Sequence, residues 1–142
     1  MKRRRDPILD ELGRLTRAIA RRVGVEDNPP MTATQRLTLV EIGLDGPLRV
    51  NDIARRIGVS TPTASRAVDA LVDHGLVTRE PDPTDRRALR VDLSDEGRRT
   101  FGERMRRAND AFAPAVATLS GREQETLLAL LSRLTHALDE AP

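Results

Sequence analysis

Two short stretches of this chain carry groups that could do chemistry on a partner. The first is Ser60-Thr61-Pro62-Thr63-Ala64-Ser65-Arg66, which places four hydroxyls and one guanidinium within seven residues. The second is Asp82-Pro83-Thr84-Asp85-Arg86-Arg87, a polar run with two adjacent guanidiniums. Neither pairs a nucleophile with a base, and neither gathers metal ligands. Hydroxyls and guanidiniums are hydrogen-bond donors. Their natural counterpart is a surface rich in acceptors and negative charge, such as the phosphates and base edges of a nucleic acid.

To act together, the two stretches must be held at a fixed separation, and the flanking sequence supplies the elements. Asn51 to Ile57 reads as a short helix and Gly58-Val59-Ser60 as a turn. A second helix then starts with Thr61 as N-cap and Pro62 at the first helical position. It ends near His74, with Gly75 as a left-handed stop. Two helices that cross steeply need a small residue at the contact, which Ala54 supplies. The tight turn needs an unusual backbone, which Gly58 supplies. Ile53, Ile57 and Val59 fill the space beneath, and Ala64, Val68 and Leu71 face the same core. The 100° step per residue then fixes the opposite face. Pro62, Thr63 and Arg66 project outward, with Ser60 and Thr61 at the helix start and Ser65 beside them. Small residues admit that helix end to a major groove roughly 12 Å wide, where Arg66 can reach guanine O6 and N7. The free amides of the helix start favour phosphate.

Beyond Gly75, Leu76 to Glu80 and Leu89 to Leu93 read as strands of a hairpin. Val91 and Leu93 alternate with Arg90 and Asp92, as in a half-buried strand. The hairpin tip holds Asp85, Arg86 and Arg87. Asp85 is positioned to hold the guanidinium of Arg87 in one pose, ready for a minor groove.

The remaining elements are helical. Asp6-Pro7 opens a helix with Ile8, Leu12, Leu15 and Ile19 on one stripe, continuing to Val23 and stopped by Gly24. Glu26 to Pro30 is a linker. Thr32 and Gln35 make a capping box for a helix through Leu37, Val40 and Leu44. Leu48 to Val50 is at most a strand fragment. Ser94 caps a long helix with Phe101, Met105, Ala108 and Phe112 in line, which Pro114 should kink or end. Ser120 and Glu123 make a second capping box, before a stripe of Leu127, Leu131, Leu134 and Leu138.

Composition narrows the field of functions. The 142 residues hold no cysteine, which excludes disulfides, thiolate zinc sites and thiol redox sensing in this chain. Aromatic content is 1%, so the core must be aliphatic. Two histidines, His74 and His136, do not make a metal or catalytic constellation, and no cofactor motif is present. No apolar run has the roughly 18 residues of a membrane span. The basic start, Lys2 to Arg5, lacks the features of a secretory signal, so a cytoplasmic location is expected. Net charge is +2 although the pI is 10.2, because nearly every cation is arginine. Where the charge sits matters more than its sum.

From Met31 to Gly97, about half of the chain, the sequence resembles the MarR family of winged helix-turn-helix transcription regulators. The segments that carry the resemblance are "MTATQRLTLVEIG", "NDIARRIGVSTPTASRAVDALVDHGLVTRE" and "DPTDRRALRVDLSDEG". The Asp-Pro-x-Asp-Arg-Arg wing followed by Leu-Ser-x-x-Gly is the most specific. The resemblance implies a homodimer built through the N- and C-terminal helices. It also implies binding to an inverted repeat, usually near the regulator's own promoter. On the family pattern Asp85 and Arg87 are the wing pair, and Ser60 to Arg66 lie in or beside the major groove. One departure is Arg49, where the family often has a Ser or Thr cap.

The expected fold is mainly α with a small β-hairpin wing: a winged helix-turn-helix at 31–97, flanked by dimerisation helices at 1–30 and 98–142. The apolar stripes support a dimer independently, since burying one leucine side chain is worth about 1.5 to 3 kcal/mol. Twofold pairing would cover Ile8, Leu12, Leu15, Ile19, Phe112, Leu127, Leu131, Leu134 and Leu138, and set two recognition helices about 34 Å apart. The expected function is a repressor of transcription on double-stranded DNA, relieved by a small-molecule effector. The competing class is a winged-helix interaction module without a DNA role, which would need an apolar outer face on the second helix. An enzyme would need a catalytic constellation that is not there.

Overall fold

The computed structural model of the chain describes residues 6–22 and 27–140. Lys2 to Arg5, the continuation of the first stripe to Val23, the Gly24 stop and the linker start at Glu26 fall outside the described residues. The elements in order are α1 (Pro7–Arg22), α2 (Ala33–Asp45), β1 (Leu48–Arg49), α3 (Val50–Ile57), α4 (Thr61–Asp73), β2 (Val77–Pro81), β3 (Leu89–Leu93), α5 (Asp95–Val116) and α6 (Gly121–Asp139). The chain is mainly α with one small antiparallel sheet of order β1-β3-β2. It divides into two compact units, Gly24–Arg106 and Met1–Val23 with Arg107–Pro142.

In the unit Gly24–Arg106, local sequence sets each boundary. Thr32 and Gln35 cap α2 reciprocally: Gln35 N–H donates to Thr32 Oγ1 at 3.2 Å, and Thr32 N–H to Gln35 Oε1 at 2.9 Å. Gly58 ends α3 with φ 70° and Gly75 follows α4 with φ 71°, two left-handed positions that a Cβ would strain. Leu39, Ile42, Ile53, Val68, Leu71, Leu76 and Val91 form an almost fully buried aliphatic core. Ile57, Val59 and Phe101 pack on its edge. The Phe101 ring lies against Gly43, where an added Cβ would strike it.

The start of α5 is fastened to the sheet. Ser94 N–H donates to the Leu76 carbonyl at 3.0 Å, and Ser94 Oγ donates to the Gly75 carbonyl. Ser94 Oγ also accepts from Gly97 N–H at 2.9 Å. A Cβ on Gly97 would overlap the Leu76 carbonyl oxygen. A second fastening joins three distant segments. The Asp27 carboxylate, 8% exposed, meets Arg104 at 2.8 Å and Arg36 at 3.4 Å.

Sequence and structure differ at three boundaries here. α3 starts at Val50, one residue early, and β2 runs Val77–Pro81. α5 continues two residues past Pro114. A proline lacks one backbone donor and crowds the carbonyl a turn back, yet the helix runs on past it, and Ala117 N–H to the Ala113 carbonyl at 2.9 Å closes its end.

In the other unit, Asp6 Oδ1 accepts from Ile8 N–H at 2.9 Å to start α1. The Ser120–Glu123 capping box starts α6. Neither α1 nor α6 contains a buried residue. Ile8, Leu15, Ile19, Leu127, Leu131, Leu134 and Leu138 are exposed, Leu138 by 75%. Leu12 and Phe112 are half-buried.

One core position is imperfect. Thr38 is fully buried on α2, and its hydroxyl has no hydrogen-bond partner among the described residues. A buried hydroxyl without a partner costs about 1 to 3 kcal/mol, whereas a methyl of similar size costs nothing there. Thr38→Val should therefore raise the unfolding free energy by about 1 kcal/mol. A thermal or denaturant melt checks this; a lower midpoint would contradict it.

Candidate nucleic-acid interface

The outer face of α4 and the β2–β3 loop carry the groups singled out in the sequence. α4 is capped one residue earlier than expected. Ser60, not Thr61, is the N-cap, its Oγ accepting from Thr63 N–H at 3.3 Å. Thr61 and Pro62 become the first two helical residues. The shift is cheap for proline, because none of the first-turn amides has an intrahelical acceptor to lose. Ser60 and Thr63 hydroxyls also bond each other at 2.8 Å. Ser60, Thr61, Pro62 and Arg66 are exposed, while Thr63 and Ser65 are half-buried. Thr63 therefore presents less of itself outward than its register alone implies.

The helix start has a neighbour that sequence spacing did not indicate. Thr32, Thr34 and Gln35 at the N-terminus of α2 line a hollow of about 180 Å³ with Thr63, Arg66 and Ala67. The capping box revealed where α2 begins, yet nothing local showed which surface it would border.

The wing is the β2–β3 hairpin. Its register pairs Val77 with Leu93, Thr78 with Asp92 and Arg79 with Val91. Val77, Val91 and Leu93 point into the core. Arg79 follows Val77 on the same face, since strand side chains repeat every second residue. It passes the edge of the core and pairs with Asp69 of α4. α4 and the wing strand β2 are thereby tied by an ion pair.

The loop itself differs from expectation at Asp85. Its Oδ1 accepts from the Arg87 backbone N–H at 3.0 Å, not from the Arg87 guanidinium. Short aspartate side chains readily close such turns on the amide two residues ahead. Asp85 thus shapes the backbone and leaves the guanidinium unengaged. Asp82, further back, is the buried carboxylate of the wing, 5% exposed. Its Oδ2 accepts from Arg49 Nε at 2.7 Å, and its Oδ1 accepts from Thr84 N–H at 2.8 Å and the Thr84 hydroxyl at 2.7 Å. The hydrogen bond from Arg49, aided by those from Thr84, holds the Asp82 carboxyl far below the ordinary carboxylate range.

The arginines of the unit Gly24–Arg106 differ in what holds them. Arg36, Arg49, Arg55, Arg56, Arg79, Arg98, Arg99 and Arg104 each meet a carboxylate. Arg90 donates to the Pro47 carbonyl at 3.2 Å. Arg66, Arg86, Arg87 and Arg106 are exposed and make no such side-chain contact among the described residues. No group of acidic, His or Cys side chains among the described residues could hold a metal ion. No described helix is long and apolar enough to cross a membrane.

Residues 30–88 match the family model described as MarR family. A solved structure of a probable transcriptional regulator from Pseudomonas aeruginosa is 36% identical, over 89% of this chain and 93% of that one, with a TM-score of 0.62. A MarR-like transcriptional regulator from Thermotoga maritima is 26% identical, over 96% of this chain and 99% of that one, with a TM-score of 0.73. An HTH-type transcriptional regulator of Mycobacterium bovis is 27% identical over 113 residues, 80% of this chain and 79% of its own. The small sheet, the capped helix pair and these likenesses agree, and the chain belongs to the MarR family of transcriptional regulators.

Proposed function

We propose that the protein is a homodimeric, sequence-specific DNA-binding repressor that acts on an inverted-repeat operator and is relieved by a small molecule. The observation that carries DNA binding is the sorting of the arginines. Most guanidiniums of the winged unit are held by carboxylates. Those of Arg66 on α4, of Arg86 and Arg87 in the wing and of Arg106 on α5 are not, and the first three lie on the two elements that a DNA reader would use. Arg66 is the candidate base contact, and Ser60, Thr61, Pro62, Thr63 and Ser65 form the groove-facing helix start around it. Asp85 shapes the loop that carries Arg86 and Arg87. The outer face of α4 is polar, which does not suit a winged-helix module that docks an apolar protein partner.

The dimer is supported by α1 and α6, whose aliphatic stripes remain largely exposed among the described residues. Contiguous apolar surface of that kind marks an interaction site. A second copy of the chain supplies an identical stripe, and a twofold axis would repeat the recognition helix at about one turn of DNA, 34 Å. An effector that binds the DNA-competent arrangement less well than another would release the operator. A differential of ~1 to 3 kcal/mol is the usual allosteric range.

Labelled duplexes from the DNA flanking the gene, titrated at several salt concentrations, test the central reading. Affinity should fall steeply with salt as counterions are displaced from several phosphates. Absence of binding to every duplex at low salt would refute it. Arg87→Ala should weaken binding on all sequences and lower the salt slope by about one. Arg66→Ala should cost about 1 to 3 kcal/mol and relax preference at one base position. An equal loss on all DNA would reassign Arg66 to phosphate. For the dimer, Leu131→Asp combined with Leu134→Asp should give a monomer by sedimentation and abolish tight operator binding. A wild-type chain that sediments as a monomer at micromolar concentration would remove the twofold arrangement.

A further inference from the structure

We propose that Arg49 and Asp82 form a strap that fixes the pose of the wing against the helix-turn-helix, making Arg49 a positioning residue for Arg86 and Arg87. The proposal rests on the reading of this unit as a DNA-binding surface.

Arg49 stands at the N-cap of α3 yet gives that helix no side-chain cap. Its guanidinium reaches instead to Asp82, 33 residues along the chain. The hydrogen bonds continue from there without a gap. Asp82 N–H donates to the Ala88 carbonyl at 2.9 Å, and Ala88 N–H donates to the Asp85 carbonyl at 2.9 Å. The Asp85 carboxylate then holds the Arg87 amide. One connected path thus joins the start of α3 to the backbone that presents the two unpaired guanidiniums. A serine or threonine at position 49 could cap α3, but its side chain would be too short to reach Asp82.

The sheet register gives the strap a second job. Arg49 lies directly across from Arg90 on β3. Like charges on opposed strand residues are destabilising. Here each cation has its own acceptor, Asp82 for Arg49 and the Pro47 carbonyl for Arg90. Removal of the Asp82 charge would leave the Arg49 guanidinium without its carboxylate, opposite Arg90 at the base of the β2–β3 loop, where Glu80 on the other neighbouring strand lies across from Arg90 alone. The Asp82 carboxylate accepts from Arg49 and from both Thr84 donors while buried, so it has little else to do than hold this junction.

The strap predicts an effect opposite in sign to simple electrostatics. Asp82→Asn removes a negative charge next to a cationic loop, which by itself should tighten binding to DNA. If the carboxylate positions the wing, binding should weaken, by roughly tenfold on the preferred duplex. In an Arg87→Ala background the same change should cost much less, because the wing no longer contributes its main contact. Without DNA, the amides of Asp82 and Ala88 should exchange faster with solvent in the variant, while those of α3 and α4 keep their protection. Tighter or unchanged binding of Asp82→Asn, or unchanged exchange at Asp82 and Ala88, would overturn the proposal. Should that variant fail to fold, Arg49→Met carries the same exchange and Arg87 background measurements. A wild-type chain that bound no duplex would defeat the functional reading alone, and the exchange experiment would still decide the strap.

Discussion

A guanidinium that has met a carboxylate within its own fold is no longer available to an external anion. That constraint organises the winged unit. The chain is 32% charged, and its cations are almost all arginine. An arginine-rich surface left unpaired would attract any polyanion indiscriminately. Here Asp45, Asp52, Asp69, Asp82, Asp92 and Glu96 each hold a neighbour, and among the described residues of the unit Arg66 on α4, Arg86 and Arg87 in the wing and Arg106 on α5 are left facing outward. The exposed pairs among these add little stability, typically under about 1 kcal/mol. Their effect is subtractive: each pair neutralises a cation on the surface it occupies. Placement therefore says more about this protein than its net charge of +2.

What was legible in the sequence is what local rules govern. Capping boxes at Thr32–Gln35 and Ser120–Glu123, the left-handed glycines at 58 and 75, and the alternation through Val91 and Leu93 each depend on residues a few positions apart. Such features survive into the fold because nothing remote competes with them. The inward face of α4 followed from helical periodicity alone, as the burial of Ala64, Val68 and Leu71 shows.

What escaped was either finely balanced or remote. The cap on α4 moved from Thr61 to Ser60 because two adjacent hydroxyls could each do the job, and the chosen one also bonds Thr63. Asp85 turned to the Arg87 amide, two residues ahead, because closing a turn immobilises less side chain than holding a distant guanidinium. The Arg49–Asp82 contact and the meeting of Asp27 with Arg36 and Arg104 join residues far apart in sequence. No periodicity announces them. Position 49 was visible only as an anomaly at a helix start, and its partner became apparent once β1 and the wing lay side by side.

The anchorage of α5 has a mechanical corollary. At Gly97 the helix backbone presses so closely on the Leu76 carbonyl that not even a methyl group fits, and the Ser94 hydroxyl fastens the same turn. This end cannot roll or slide on the sheet without breaking buried contacts. Any flexing of the 22-residue rod must be taken up farther along it. Past the Phe101 and Arg104 contacts, which extend the anchorage, Pro114 removes a rung from the ladder. The anchored turn and the proline-interrupted stretch thus occupy different parts of a single element.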